Sequence, residues 1–208
     1  MNQRKAIRIG VIADTHGRLD PVLRRHFKGV DYIFHAGDIG DRYVIEQLKQ
    51  IAPVTAVSGN VDGDEQNGFS SEVIIELAGR RIAMRHILYE GGKMTKEGRA
   101  FLEREHPDVC VFGHTHQLKT EWFEKTLLFN PGSAGPKRFK LPRAVGILVL
   151  ARRGTIAKHI LLDDRQAKVM PRAAMKSYIG CVSGGPGNLS VKTGQKFRTL
   201  LRRRRAKS

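Results

Sequence analysis

The stretch that decides the fold is an apolar run ending in a carboxylate and an imidazole, Ile9-Gly10-Val11-Ile12-Ala13-Asp14-Thr15-His16. Its first five residues are apolar and mostly β-branched, which is typical of a short buried strand. Two runs of the same kind follow at Tyr32–His35 and 54–57. Helix-like stretches separate the three runs at 20–27, where Asp20-Pro21 is a typical helix start, and at 44–51. This β-α-β-α-β order predicts a parallel sheet.

The second half of the domain changes character. Residues 72–77 and 81–86 alternate in polarity around Ala78-Gly79-Arg80, which predicts a β-hairpin. A helix over 95–105 leads into a strand at 109–112, and further strands are expected at 121–129 and within 144–162, the last pair turning at 152–155. Parallel units followed by hairpins predict two mixed sheets with helices outside them, an α/β fold.

The bulk composition fits a soluble domain. The chain is 40% hydrophobic and 27% charged over 208 residues, enough for a sizeable core. We expect no transmembrane segment, because no apolar run approaches the roughly 18 residues that a bilayer requires, and no secretory signal. Cys110 and Cys181 lack CxxC spacing, which favours a cytoplasmic location and a buried structural thiol at Cys110.

The net charge of +17 is unevenly distributed. Residues 1–164 have a net charge of +5, whereas residues 165–208 have 12 basic and no acidic residues. We therefore expect a folded domain over 1–164 and a basic, partly disordered tail over 165–208. Such a tail could contact nucleic acid or another polyanion without sequence preference. The alternative is a solvated extension that improves solubility or touches anionic membranes weakly.

Polar side chains with metal-ligand chemistry follow several of these strands. They lie in Asp14-Thr15-His16, Gly37-Asp38, Gly59-Asn60, His86 and Gly113-His114-Thr115-His116. Carboxyl ends of strands are where open α/β sheets bind ligands. Residues i and i+2 of an extended segment point to the same side, so each Asp-x-His or His-x-His pair is expected to converge. Each piece alone is also ordinary turn chemistry. The other histidines, His26, His35, His106 and His159, are interpreted as structural or surface residues.

In this order, the motifs Asp-x-His, Gly-Asp-x-x-Asp, Gly-Asn-x-Asp, His and Gly-His-x-His resemble the calcineurin-like metallophosphoesterase superfamily. Gly-Asn-Val-Asp and Asn130-Pro131-Gly132-Ser133 resemble its small prokaryotic YfcE-type phosphodiesterase branch. The resemblance implies a four-layer α/β/β/α sandwich over the domain. It also implies one metal held by Asp14, His16, Asp38 and His116, and a second held by Asp38, Asn60, His86 and His114. Among these, it implies catalytic roles for Asp14, Asp38, Asn60 and His114.

The expected activity is phosphodiester hydrolysis by a hydroxide that bridges two divalent ions. Carboxylate, imidazole and amide ligands suit Mn²⁺ first, with Fe, Zn²⁺ or Ni²⁺ as alternatives. Val61 stands where the wider superfamily often has a histidine, so the leaving group lacks an acid there and good leaving groups should be favoured. Ile87 stands where the family commonly has glycine.

Two other functions stay open at this point. The fold is also used by non-catalytic interaction scaffolds, so fold alone does not establish catalysis. The tail could make the protein a nucleic-acid or polyanion binder. The sequence names a phosphate-ester substrate class but no physiological substrate, and the oligomeric state, including a homodimer or higher, stays open.

Overall fold

A computed structural model of the chain describes residues 6–63, 68–138, 140–152 and 154–162. The predicted tail at 165–208 lies outside these residues. The helices are α1 (Leu23–His26), α2 (Arg42–Lys49) and α3 (Lys96–Glu105). The strands are β1 (Ile7–Ile12), β2 (Tyr32–His35), β3 (Val54–Ala56), β4 (Glu72–Leu77), β5 (Arg80–Arg85), β6 (Tyr89–Glu90), β7 (Lys93–Met94), β8 (Val109–Val111), β9 (Lys119–Phe123), β10 (Thr126–Asn130), β11 (Ala144–Ala151) and β12 (Gly154–Leu161).

Two five-stranded mixed sheets form the centre of the domain. The first has the strand order β12-β11-β1-β2-β3, and the second has the order β4-β5-β8-β10-β9. Strands β1, β2 and β3 are parallel, which confirms the prediction from the β-α-β-α-β order. Strands β4 and β5 form the predicted antiparallel hairpin, and β5, β8 and β10 run parallel. The short hairpin of β6 and β7 pairs separately.

Three apolar clusters show how the layers stack. The first cluster joins the facing sides of the two sheets and includes Ile9, Phe34 and Phe129. A second cluster packs α1 and α2 on the outer side of the first sheet through residues such as Phe27 and Leu48. The third packs α3 on the outer side of the second sheet. The resulting order is helices, sheet, sheet, helix, so the expected four-layer α/β/β/α sandwich is confirmed.

The helix boundaries differ from the prediction. The predicted helix at 20–27 is α-helical only over Leu23–His26, because the chain enters it through i to i+3 bonds, such as Leu23 N–H to Asp20 O at 3.0 Å. The helix predicted at 44–51 begins two residues earlier, since the Asp41 carboxylate caps it by accepting from Tyr43 N–H at 2.8 Å. Among the described residues, no helix is long and apolar enough to cross a membrane.

Candidate metal centre

The predicted site residues all lie just beyond strand ends, in loops that the two sheets bring to one edge. Backbone hydrogen bonds join these loops: Asp14 N–H donates to Gly37 O, and Gly113 N–H donates to His86 O, both at 3.0 Å. The His114 N–H donates to the Asp14 carboxylate at 3.2 Å. The two backbone bonds join loops of the same sheet, and the bond to the Asp14 carboxylate joins the loops of one sheet to those of the other.

The backbone geometry at these loops differs from the extended segments that the sequence predicted. Five of the seven predicted site residues have positive φ angles, between 47° and 67°: Asp14, His16, Asp38, His114 and His116. The left-handed region costs non-glycine residues free energy, although Asn, Asp and His tolerate it best. The prediction that Asp14 and His16, and likewise His114 and His116, converge because they are residues i and i+2 of an extended segment was wrong. The side chains converge because the backbone turns at each of these residues.

One group of side chains is formed by Asp14, His16 and His116, whose possible ligand atoms all lie within 4.8 Å of one another. His116 Nε2 lies 3.3 Å from Asp14 Oδ1, and His16 Nε2 lies 3.4 Å from His116 Nε2. Asp14 is completely buried and His116 is 6% exposed. The group thus combines a buried carboxylate with two imidazoles from separate loops.

A second group is formed by Asp14, Asp38 and His86, again within 4.8 Å. His86 Nε2 lies 3.3 Å from Asp38 Oδ1, while the other oxygen of Asp38 lies 3.9 Å from His16 Nε2. The two Asp38 oxygens therefore face histidines of different groups. Asp14 is common to both groups, whereas the resemblance gave the shared position to Asp38 alone.

Asn60 and His114 lie beside the second group rather than inside either one. Asn60 Oδ1 lies 3.0 Å from His114 Nδ1, and the His114 ring is 5.4 Å from the His86 ring. The other ring nitrogen of His114, Nε2, lies 3.9 Å from the carboxylate of Glu90. The structure thus brings Asn60 and His114 together but does not place them within the two tightest groups.

The site's electrostatics follow from burial and from close opposite charges. Burial alone would raise the pKa of Asp38, but the adjacent His86 and the Val61 N–H, which donates at 3.1 Å, lower it to about 2. Burial opposes protonation of His86, yet the nearby Asp38 and Asp14 carboxylates raise the pKa of that ring. Burial and the charge of Arg138 lower the pKa of His16. Both the charge on Asp38 and the proton on His86 are thus held by their mutual proximity.

Two buried atoms in these groups have no hydrogen-bond partner among the described residues: Asp14 Oδ2 and His86 Nε2. Buried polar atoms are nearly always paired, so each needs an explanation. The His86 Nδ1–H donates to Ala36 O at 2.6 Å, so Nε2 is the ring nitrogen that would offer a lone pair to a cation once the proton favoured by Asp38 has left. A free lone pair beside an unpaired carboxylate oxygen fits a divalent cation.

Asp62 is a supporting position of the site that sequence reasoning missed. Its buried carboxylate accepts from Gly59 N–H at 2.7 Å, from Gly40 N–H at 2.8 Å and from Ile39 N–H at 3.1 Å. It therefore fastens the loop of Asp38 to the loop of Asn60. The signal was present in Gly-Asn-Val-Asp, because aspartate is a common turn residue whose carboxylate can accept from nearby backbone N–H groups.

Asn130 and Ser133 support the site from a third loop. The Asn130 side chain donates to Gly113 O at 2.8 Å, and the Ser133 hydroxyl donates to Asp14 O at 3.0 Å. His159 donates to Asn130 O at 2.8 Å, and the buried His35 bonds Thr15 Oγ1 at 2.9 Å. The loop at 130–133 is thus part of the site's support, not only a strand-end turn. His35 and His159 are structural, as predicted.

The sequence of this chain matches the model of a known protein family. The model of the calcineurin-like phosphoesterase superfamily domain matches residues 7–153. The chain belongs to the calcineurin-like phosphoesterase superfamily. It is 31% identical over 170 residues to a probable metallophosphoesterase of Methanocaldococcus jannaschii, covering 78% of this chain and 80% of the relative. It is 25% identical over 160 residues to a phosphodiesterase of the same organism, covering 68% and 92% of the two chains.

Solved structures agree on the fold. The zinc complex of Vps29 from Entamoeba histolytica superposes with a TM-score of 0.64 at 22% identity, covering 76% of this chain and 94% of that one. At this identity the likeness concerns the fold alone. The family is metal-dependent, and the described residues of this chain contain two groups with the required ligand chemistry.

Proposed function

We propose that this protein is a phosphodiesterase that depends on two divalent ions. The observation that carries the proposal is the pair of ligand groups that share Asp14 and contain two unpaired buried atoms, Asp14 Oδ2 and His86 Nε2. The similar phosphodiesterase of Methanocaldococcus jannaschii supports the reaction class. Bound ions would activate a water molecule and polarise the oxygens of the phosphate.

The proposed ligand sets combine the two groups with their neighbours. Asp14, His16, Asp38 and His116 would hold one ion, and Asp38, Asn60, His86 and His114 would hold the other. Two divalent ions carry four positive charges, of which Asp14 and Asp38 neutralise two, so the site favours an anionic ester. Mn²⁺ is the first expectation, with Fe, Zn²⁺ and Ni²⁺ as alternatives, because imidazole and carboxylate ligands suit these ions.

Each side chain has a definable task in this scheme. Asp38, with a pKa of about 2, stays ionised at any working pH and can face both ions. His86 is held in the tautomer that presents Nε2 by its bond to Ala36 O. Val61 is 50% exposed beside the site and has no proton to transfer to a leaving group. The chain therefore supplies ligands and orientation, while leaving-group protonation falls to water.

The test is the substitution Asp38→Asn, with Asp41→Asn as the matched control in the same loop. Metal content is measured after dialysis, and rates are measured on phosphodiesters and phosphomonoesters under several divalent ions. Asp38→Asn should lower metal affinity by more than about 100-fold and abolish most turnover, because it removes a ligand charge and loss of an outer-shell partner already costs about 10- to 100-fold. Asp41→Asn should change neither, since its side chain caps α2.

Wild-type metal content and turnover in Asp38→Asn would overturn the site assignment. No turnover of any ester by fully metallated wild type would favour a non-catalytic interaction scaffold instead. The domain boundary at 164, the cytoplasmic location, the oligomeric state and polyanion contact through residues 165–208 stay predictions.

A further inference from the structure

Four exposed basic side chains form what we name the basic rim: Arg18, Lys137, Arg138 and Lys140. Within the described part of the chain, none of the four makes an ion pair. Six other arginines of the described residues make ion pairs, as Arg143 does with Asp20 at 2.9 Å. The rim is thus a local excess of positive charge, in which Arg18 also acts on the nearby carboxylate of Asp20.

The rim is anchored to the proposed metal centre by the backbone. Gly135 N–H donates to Asp14 O at 3.0 Å, and a Cβ added at Gly135 would lie 2.4 Å from that oxygen. The segments that carry Gly135 and Asp14 are therefore in close contact. Arg138 follows three residues later, in a turn closed by Leu141 N–H to Arg138 O at 3.2 Å. Arg18 follows His16 by two residues in the segment that begins at Asp14. Both segments that carry the rim residues, the one with Arg18 and the one with Arg138, therefore extend from the side of the site where His16 lies.

The opposite side of the site carries the opposite charge. Glu90 is exposed, and its carboxylate lies 3.9 Å from His114 Nε2. On the rim side, the segment that carries Arg138 reaches the site through the bond from Gly135 N–H to Asp14 O. An anionic group bound at the site is thus attracted towards Arg138 and repelled from Glu90.

A simple phosphodiester has one negative charge, which the proposed metal ions already neutralise. The rim adds charge beyond what that group needs. We propose that the basic rim, with Arg138 at its centre, binds a second phosphate of the substrate. This inference rests on the proposed function and names its substrate class: phosphodiesters that carry a further phosphate, as a nucleotide with a terminal phosphate does.

The experiment compares two p-nitrophenyl thymidine phosphodiesters that differ only in a terminal phosphate on the other sugar hydroxyl. Hydrolysis is followed with manganese-loaded protein at low ionic strength. Binding of thymidine bisphosphate and thymidine monophosphate to the same protein is measured by calorimetry, so the result does not depend on turnover. Wild type should prefer the additional phosphate by about 5-fold, the effect of one exposed charge pair, and salt should weaken the preference.

The variants are Arg138→Ala and, as matched control, Arg152→Ala. Arg152 is an exposed arginine at the end of β11, and the pairing of Ile7 with Leu150 places that end at the opposite edge of the first sheet. Arg138→Ala should abolish the preference in KM and in binding, so that the two diesters have similar KM values and the two nucleotides bind equally. Arg152→Ala should keep the preference.

Equal binding of both nucleotides by wild type, or equal loss in both variants, would overturn the inference and show a solvated basic surface only. A preference that Arg138→Ala removes, in a protein that hydrolyses neither ester, would leave the second phosphate site standing and refute the proposed function.

Discussion

Replacing Asp62 should loosen two loops of the site at once. The carboxylate accepts from three backbone N–H groups, two through Oδ2 and one through Oδ1. The donors belong to the loops that carry Asp38 and Asn60. The substitution alters neither proposed ligand, Asp38 or Asn60. Any loss of metal affinity would therefore come from the lost hydrogen bonds to Asp62.

The magnitude follows from which donors water can reach. Gly40 is exposed, so water can replace the carboxylate there, whereas Ile39 is buried and Gly59 partly so. A buried donor left without an acceptor costs about 1–3 kcal/mol, so Asp62→Ala should destabilise the domain by about 4 kcal/mol. Asp62→Asn keeps one acceptor oxygen, but it loses the charge and presents an amide donor to Gly40 N–H. We expect about 2 kcal/mol, a large fraction of a typical domain stability of about 5–15 kcal/mol.

The assay is urea unfolding of the metal-free protein, with the slope of the transition compared between variants. Metal affinity should also fall by about 10-fold in Asp62→Asn. The control is Asp41→Asn, because asparagine caps a helix as well as aspartate does and should change stability by less than about 0.5 kcal/mol. Unfolding free energies that agree between Asp62→Asn and Asp41→Asn would refute the reasoning that Asp62 fastens the two loops.

Two further predictions concern pH and the leaving group. Burial lowers the pKa of His35 from 6.5 to about 3. The unfolded chain therefore binds a proton that the folded chain excludes as pH falls below 6.5, and stability should drop by about 1.4 kcal/mol per pH unit from this residue. His35→Gln keeps a donor for Thr15 and should flatten that slope in urea titrations of the metal-free protein; identical slopes would contradict the assignment. Val61→His should weaken the dependence of rate on leaving-group pKa across a series of aryl phosphodiesters, and an unchanged dependence would show that position 61 does not reach the leaving group.

The layer order could be predicted because it depends on patterns that are local in sequence. Short apolar runs alternate with helical periodicity up to 57, and the turn at Ala78-Gly79 fixes the hairpin of β4 and β5. Both turn residues have positive φ, which two-residue hairpins require. The beginning of α1 could not be predicted in the same way. Its first turn is shaped by Asp20, whose side chain pairs with Arg143, a residue 123 positions away.

The difference between local patterns and contacts from distant residues also explains which features of the site could be predicted. Strand ends and residue types identified which side chains meet, because carboxyl ends of parallel strands share an edge of the sheet. How they meet depends on left-handed backbone at Asp14, Asp38 and His114, and no local pattern encodes that conformation. It is stabilised by partners from other strands: Ser133 on Asp14 O, Val61 N–H on Asp38, and the Asp14 carboxylate on His114 N–H. Each strained ligand is thus held by a neighbouring loop rather than by its own segment. A substitution in a supporting loop should therefore alter metal binding as surely as one in a ligand, although no motif marks the supporting residue.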